Sequence, residues 1–317
     1  MYHFVVFPYD RTNEKILTWR ETTSYGTVTD IVSPTGWNMG AYTSRLANEN
    51  VKWETSEQYN VGLDARFLRQ RLSLTFDAYI KNTKDWLVQA PVLATAGTGG
   101  PIINGGDVKN KGIELGLSWN DQIGKDLVYS VGANFAYNHN EVGAIPTKDG
   151  IIQGQENQIY QNAEEFYRAE NGHALGYFWG YKTAGIFQSQ QDINNWIAAG
   201  NGVLQSNVQP GDVKYVDVNH DGAINANDKV DLGNGLPKYT FGFNFNLGYK
   251  GFDLSANFTG AAGFQIAQSY RDPSGSQGNY SHRILGRWTG EGTTNEMPRV
   301  TYGDVGNWLF SDLYLQD

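Results

Sequence analysis

Cysteine is absent from the 317 residues. That excludes disulfides, thiolate metal centres and cysteine nucleophiles. Charge is also scarce: Asp, Glu, Lys and Arg make up 18% of the chain, against about 25% in ordinary soluble domains. The balance is acidic, with a net charge of −9 and a pI near 5.1. An acidic chain is a poor partner for a phosphate backbone, so no nucleic acid is expected. No apolar run approaches the ~20 residues of a membrane helix. The start, Met1 to Phe7, lacks the basic region and small-residue cleavage site of an export signal. The other end, Leu313–Asp317, stops inside an apolar-alternating stretch, so the expectation is an internal piece of a longer protein.

Glycine (38 residues) and aromatics (14%) are plentiful. Together they lean towards β structure with many turns. A period of two recurs along the chain. Tyr239, Phe241, Phe243, Phe245, Leu247 and Tyr249 alternate with Thr240, Gly242, Asn244, Asn246 and Gly248. Leu127 to Tyr137 alternates in the same way. So do the sets Tyr59–Phe67, Leu72–Ile80, Ile113–Trp119 and Phe252–Phe258.

Alternation alone does not say which face is outside. A soluble sheet shows Lys and Glu to water. Here the polar faces are mostly Gly, Ser, Asn and Thr, with Asp64 and Arg66 the main exception. Tyr239 and Tyr249 bracket an apolar stripe. Eleven residues tilted ~40° rise roughly 26 Å, the height of the apolar band of a membrane barrel with aromatic rims. The expected fold is therefore all-β: an antiparallel transmembrane β-barrel segment with long extracellular loops.

Connections sharpen this picture. Strands 57–67 and 71–89 join through Leu68-Arg69-Gln70, 107–119 and 127–140 through Asn120–Asp126, and 239–249 and 252–259 through Lys250-Gly251. A Gly-rich loop, Ala94–Gly106, lies between the second and third strands. Short and long connections alternate if 141–238 is one outer excursion with no net crossing, its piece Tyr177–Phe187 included. A helix is expected near Asp192–Ala199. Long loops are uncommon unless functional, so 141–238 and 260–307 are the expected functional surface.

Within the first excursion, Asp217-Val-Asn219-His-Asp221-Gly222-Ala223-Ile224-Asn225-Ala-Asn227-Asp228 has the spacing of an EF-hand-type calcium loop. Expected ligands are Asp217, Asn219, Asp221, the Ala223 carbonyl, Asn225 and Asp228. Gly222 permits the sharp turn around a structural Ca²⁺. Position 12 is Asp rather than Glu, and flanking helices are not evident. The plainer alternative is an Asp/Asn/Gly turn closed by its own side-chain-to-backbone bonds.

Catalytic signals are missing. The five histidines (His3, His139, His173, His220 and His282) show no metal-binding spacing. No Gly-x-Ser-x-Gly elbow is present. Gly97–Gly100 and Gly105-Gly106 do not lead into a phosphate-binding helix. Glu164-Glu165 sits in a polar stretch. No catalytic residue and no organic cofactor site is expected, and the chain does not read as an enzyme. Loop aromatics Tyr177, Phe178, Trp179, Tyr181, Trp196, Trp288 and Trp308 could stack on sugars or grip a partner, or simply pack within a folded loop.

Several segments then resemble the SusC/RagA-type TonB-dependent receptors of Bacteroidetes. These are Trp53–Asn60 with Val61–Asp64, Arg71–Tyr79 with Asn82–Asp85, and Asn110–Leu115. Gly211–Asn219, Pro237–Gly242 and Tyr249–Asp253 follow in the family's order. The resemblance implies a barrel of about 22 strands around a plug, of which this chain covers part of the C-terminal half. The plug domain, TonB-contacting box, signal peptide and last strand are expected outside it. Two unpaired sheet edges are not tolerated in lipid, so this piece alone is not expected to form a pore.

The resemblance further implies outer-membrane, TonB-dependent import of a bulky nutrient, an oligosaccharide or a peptide. Implied partners are a SusD-like surface lipoprotein, the TonB complex and outer-membrane lipid. Two rivals are a calcium-stabilised surface adhesin or binding module without transport, and a secreted carbohydrate-active enzyme. For the second, no acid/base pair stands out.

Overall fold

The computed structural model describes residues 40–90, 92–160, 163–269, 282–303 and 305–316, with short backbone stretches between 24 and 37. Met1–Phe7, part of the 260–307 loop and Asp317 lie outside the described residues. The backbone of Ser24–Val28 pairs with Gly40–Arg45, and that of Val32–Ser33 with Gly36–Trp37. The chain divides into two compact units. Unit 1 is residues 1–152, 170–175 and 238–261; unit 2 is 153–169, 176–237 and 262–317.

Unit 1 is built on one six-stranded antiparallel sheet. Its strands are β1 (Thr55–Phe67), β2 (Leu72–Lys84), β3 (Asp107–Ile123), β4 (Leu127–Gly143), β5 (Tyr239–Tyr249) and β6 (Phe252–Ala262). Each pairs only with its neighbours in chain order, an up-and-down meander. β4 pairs directly with β5, so residues 144–238 contribute no strand to this sheet.

Register carries the alternation across the sheet. Leu63, Phe76, Leu115, Phe135 and Phe241 stand side by side in successive strands. Ala65, Leu74, Leu117, Ala133 and Phe243 form the next row. Phe243 meets Phe258 of β6 with ring centres 6.2 Å apart. This apolar face is open: Val61 is 74% exposed, Leu63 56% and Phe258 63%. A water-soluble sheet would bury such a face, whereas a membrane barrel turns it to lipid. Tyr137 and Tyr239 pack at one rim, ring centres 5.4 Å apart. Trp119 donates to the Tyr129 hydroxyl near the other, at 3.3 Å.

The opposite face is polar and made flat by glycine. A Cβ on Gly132 would sit 2.5 Å from Asn244 Nδ2, and one on Gly116 2.4 Å from Thr75 Oγ1. The missing side chains give room to polar ones on neighbouring strands. Tyr79 donates to Asn138, Asn140 to Asn110, and Asn246 to Ser130.

Several strand bounds differ from expectation. The expected strand 71–89 is broken: β2 ends at Lys84, and Leu87–Gln89 pairs separately with Ile102–Asn104. Asp85, with φ 53°, turns the chain out of the sheet. That small hairpin accounts for Gly105, whose Cβ position is filled by Val88 Cγ1 at 2.4 Å. β3 and β4 each run longer than their hydrophobic stretches, because the polar ends Asn120–Gln122 and Asn138–Glu141 still pair. Tight turns at 68–71, 124–126 and 250–251 join the strands at one end. The long connections leave from the other. No helix among the described residues is long and apolar enough to cross a membrane, which says nothing of a barrel.

Unit 2 holds the remaining long segments. Tyr177–Tyr181 pairs with Tyr167–Glu170 and with Lys229–Asp231, and Thr183–Ile186 pairs with Val213–Tyr215. The expected β-like piece 177–187 is thus two short strands in sheets other than the six-stranded one. The one α-helix among the described residues, α1 (Gln190–Ala198), starts two residues before the expected position. Ser189 accepts from the Asp192 N–H, an N-cap that satisfies a donor the first turn leaves open.

Candidate functional site

Two aromatic clusters form the core of unit 2. Tyr160, Ala163, Phe178, Phe310 and Tyr314 make one; Tyr181, Val213, Tyr215 and Ile224 make the other. The first takes Phe310 and Tyr314 from the C-terminal segment; the second lies in the first excursion, with Leu309 and Leu313 packed against it. The apolar interior thus joins the first excursion to residues 308–315, just beyond the second expected loop.

A buried polar network fastens them. Asp212 is fully buried. Its Oδ1 accepts from Arg299 Nε at 2.7 Å and from Asn307 Nδ2 at 2.8 Å. Its Oδ2 accepts from the Gln209 N–H at 2.8 Å. Asn307 Oδ1 in turn accepts from the Val213 N–H and from Gln205 Nε2. Gly211, at φ +94°, lies flush against Trp288 and Arg299. Gln188 clamps the same C-terminal segment: its Oε1 accepts from Trp288 Nε1 and the Gly292 N–H, and its Nε2 donates to Thr294 O and Asn295.

Asp212 lies inside a matched sequence segment, but Arg299, Asn307, Gln205 and Gln188 carried no sequence signal. Their partners are 87 to 107 residues away.

The calcium-loop residues lie just downstream. Asp217 and Asp228 are buried; Asn219, Asp221 and Ala223 are exposed. Asp217 accepts from the N–H groups of Asp221 and Gly222. Asp228 accepts from those of Val218, Asn219 and Asn225. Asn225 caps the short turn Ala226–Asp228, and its side-chain NH₂ donates to the Ala223 carbonyl. Gly222 has φ +83°, as the sharp turn requires. The Ala223 N–H, the Asn219 amide and Asn225 hold the Asp221 carboxyl below its usual range, against a smaller opposing effect of burial. The loop is thus closed by its own donors. Among the described residues, no group of three or more His, Cys, Asp or Glu side chains is arranged to hold a metal.

The loop aromatics pack within the folded segments. Tyr177, Phe178 and Tyr181 are buried. Trp179 is covered by the Arg168 guanidinium at 4.1 Å, itself paired with Glu165. Trp196 meets Phe187 edge-on, Trp288 is held by Gln188, and Trp308 packs on the first cluster. Burial pushes the Tyr181 hydroxyl up to about 12, with Glu164 and Asp228 adding to it. For Asp192, burial acts upward, but the hydrogen bonds from Lys214 and the Gln188 N–H and the charge of Lys214 prevail, and its carboxyl is lowered. A cleft of about 320 Å³ in unit 2 is lined by His282, Arg283, Glu296, Met297, Trp308 and Tyr314, among others.

Comparison with known proteins agrees with this architecture. Residues 9–259 match the family model for the TonB dependent receptor-like beta-barrel. TonB-dependent receptor P3 of Formosa agariphila is 30% identical over 262 residues, covering 82% of this chain and 26% of the relative. TonB-dependent receptor SusC of Bacteroides thetaiotaomicron is 29% identical over 211 residues, covering 66% of this chain and 19% of the relative. The chain thus spans about a quarter or less of these two relatives. The solved RagAB peptide transporter superimposes with a TM-score of 0.67 at 20% identity, over 93% of this chain and 30% of that one. The open apolar face, the polar glycine-lined face, the meander and the family match agree: this chain belongs to the TonB-dependent receptor-like β-barrel family.

Proposed function

We propose that this chain forms part of the barrel wall and surface loops of an outer-membrane, TonB-dependent importer of a bulky nutrient. The observation that carries the reading is the apolar face, in register across the sheet and open to the surroundings. Its height and aromatic rims suit an outer-membrane bilayer. In the whole receptor, the polar glycine-lined face would line the lumen around a plug, and the tight turns would face the periplasm.

Unit 2 then serves as the surface module that meets cargo and a SusD-like lipoprotein. TonB would act through parts of the receptor outside this chain. Cargo in this reading is an oligosaccharide or a peptide, handled without covalent change; the solved RagAB peptide transporter shares the fold. No observation favours the adhesin reading over transport. Calcium is a structural addition in this proposal: Asp228 Oδ1 is filled by two backbone N–H groups, but the carboxylate oxygens of Asp217 and Asp221 each keep a lone pair beyond their backbone bonds, and Ca²⁺ would stiffen 217–228 further.

Growth tests the proposal. A strain lacking the whole receptor is expected to lose growth on one polymeric or oligomeric nutrient and keep growth on its monomers. Undiminished growth and uptake on every such nutrient would overturn it.

A further inference from the structure

The three tight turns of the sheet share a feature that import does not use. Each carries a cation: Arg69 between β1 and β2, Lys125 between β3 and β4, and Lys250 between β5 and β6. All three are exposed, and none forms an ion pair among the described residues. Arg71, at the same rim, is already paired with Asp121 at 3.1 Å.

The belt beside these cations is strongly apolar. Phe252 is 80% exposed, Ile123 59%, Phe67 49% and Tyr249 47%. Lys250 Nζ lies 5.3 Å from the centre of the Tyr249 ring. Trp119 and Tyr129, joined by their hydrogen bond, supply amphipathic rings near the same level. Such rings settle where acyl chains meet headgroups.

The acids at this rim do not cancel the cations. Asp121 is neutralised by Arg71. Asp253 lies on the polar face, where its Oδ1 would be 3.2 Å from a Cβ on Gly248. Only Asp126 shares the turns with the three cations.

We propose that this rim binds anionic phospholipid headgroups, with Arg69, Lys125 and Lys250 on the phosphates and Phe67, Ile123, Tyr249 and Phe252 against the acyl chains. The proposal rests on the membrane reading above. It adds a preference for anionic over zwitterionic lipid and places that preference at the tight-turn end. Cations near an anionic surface attract it individually and additively, so three in one rim give a measurable bias.

The test is native mass spectrometry of the intact receptor in detergent, equilibrated with equal amounts of phosphatidylglycerol and phosphatidylethanolamine. The wild type is expected to retain mainly phosphatidylglycerol. The triple variant R69A/K125A/K250A is expected to lose that excess on the order of a hundredfold, with phosphatidylethanolamine adducts unchanged. R69K/K125R/K250R should restore it, and K109A, at the far end of β3, should leave it intact. An unchanged lipid ratio in the triple alanine variant overturns the proposal, as does an equal loss in K109A. A wild-type receptor that retains neither lipid would instead remove the membrane reading on which the proposal stands.

Discussion

Arg299→Ala is the sharpest probe of how unit 2 is held together. The substitution removes the only cation that bonds, among the described residues, to the fully buried Asp212 carboxylate, at 2.7 Å. Two neutral donors remain, Asn307 Nδ2 and the Gln209 N–H. Breaking one side of a buried ion pair costs about 3–5 kcal/mol, because the surviving charge stays desolvated. The Arg299 side chain is 22% exposed, so water can approach where it stood and the lower end, about 3 kcal/mol, is expected.

Hydrogen exchange of the intact receptor reads this locally. Three kcal/mol is roughly a 150-fold faster exchange, at 1.36 kcal/mol per tenfold. The acceleration should fall on the Phe187, Gly211 and Val213 amides, which bond within this network. Asp212→Asn should also destabilise, since both carboxylate oxygens accept N–H bonds and the amide NH₂ would face one of those donors. The double variant should cost less than the sum of the two, with a coupling on the order of 2 kcal/mol. Exchange accelerated less than about threefold by Arg299→Ala, or strict additivity in the cycle, would refute the argument that one buried charge joins the two loops.

Gly211→Ala should destabilise the same region by more than 2 kcal/mol on the scale of a strained, overpacked site. A Cβ there meets Trp288 Cε3 at 2.6 Å and Arg299 Cβ at 2.8 Å, with φ at +94°; denaturation by urea measures it. Tyr181 sets an alkaline limit. Its folded-state value is raised from 10.0 to about 12, so its contribution is complete below pH 10 and is lost as pH rises towards 12. Tyr181→Phe should flatten the loss of unit 2 stability over that window in a pH-dependent melting series. Calcium added to the receptor should bind the 217–228 loop weakly, in the ~10⁻⁴–10⁻³ M range of extracellular sites. Calorimetry should show that heat in the wild type and not in D217A or D221A, and equal heats in all three would leave the loop as a self-closed turn.

How much was legible in the sequence depended on how local the determining physics was. A strand's lipid-facing side is set by a period of two, so Tyr239–Tyr249 announced its own faces and the register followed. The turns at 68–70 and 250–251 were equally local. The 217–228 loop could be read for its turn because Gly222 and the Asp/Asn spacing act within twelve residues. Strand ends were less legible: Asn120–Gln122 and Asn138–Glu141 pair through backbone groups that every residue carries.

The sequence by itself determined the alternating faces, the tight turns and the absence of cysteine chemistry, since each depends on near neighbours or composition. Only the tertiary structure decided that the two long excursions form one module. Asp212 finds Arg299 across 87 residues and Gln205 finds Asn307 across 102. No periodicity links such positions. Their pairing is chosen by burial, where an unpartnered carboxylate is costly and a matched one closes the core.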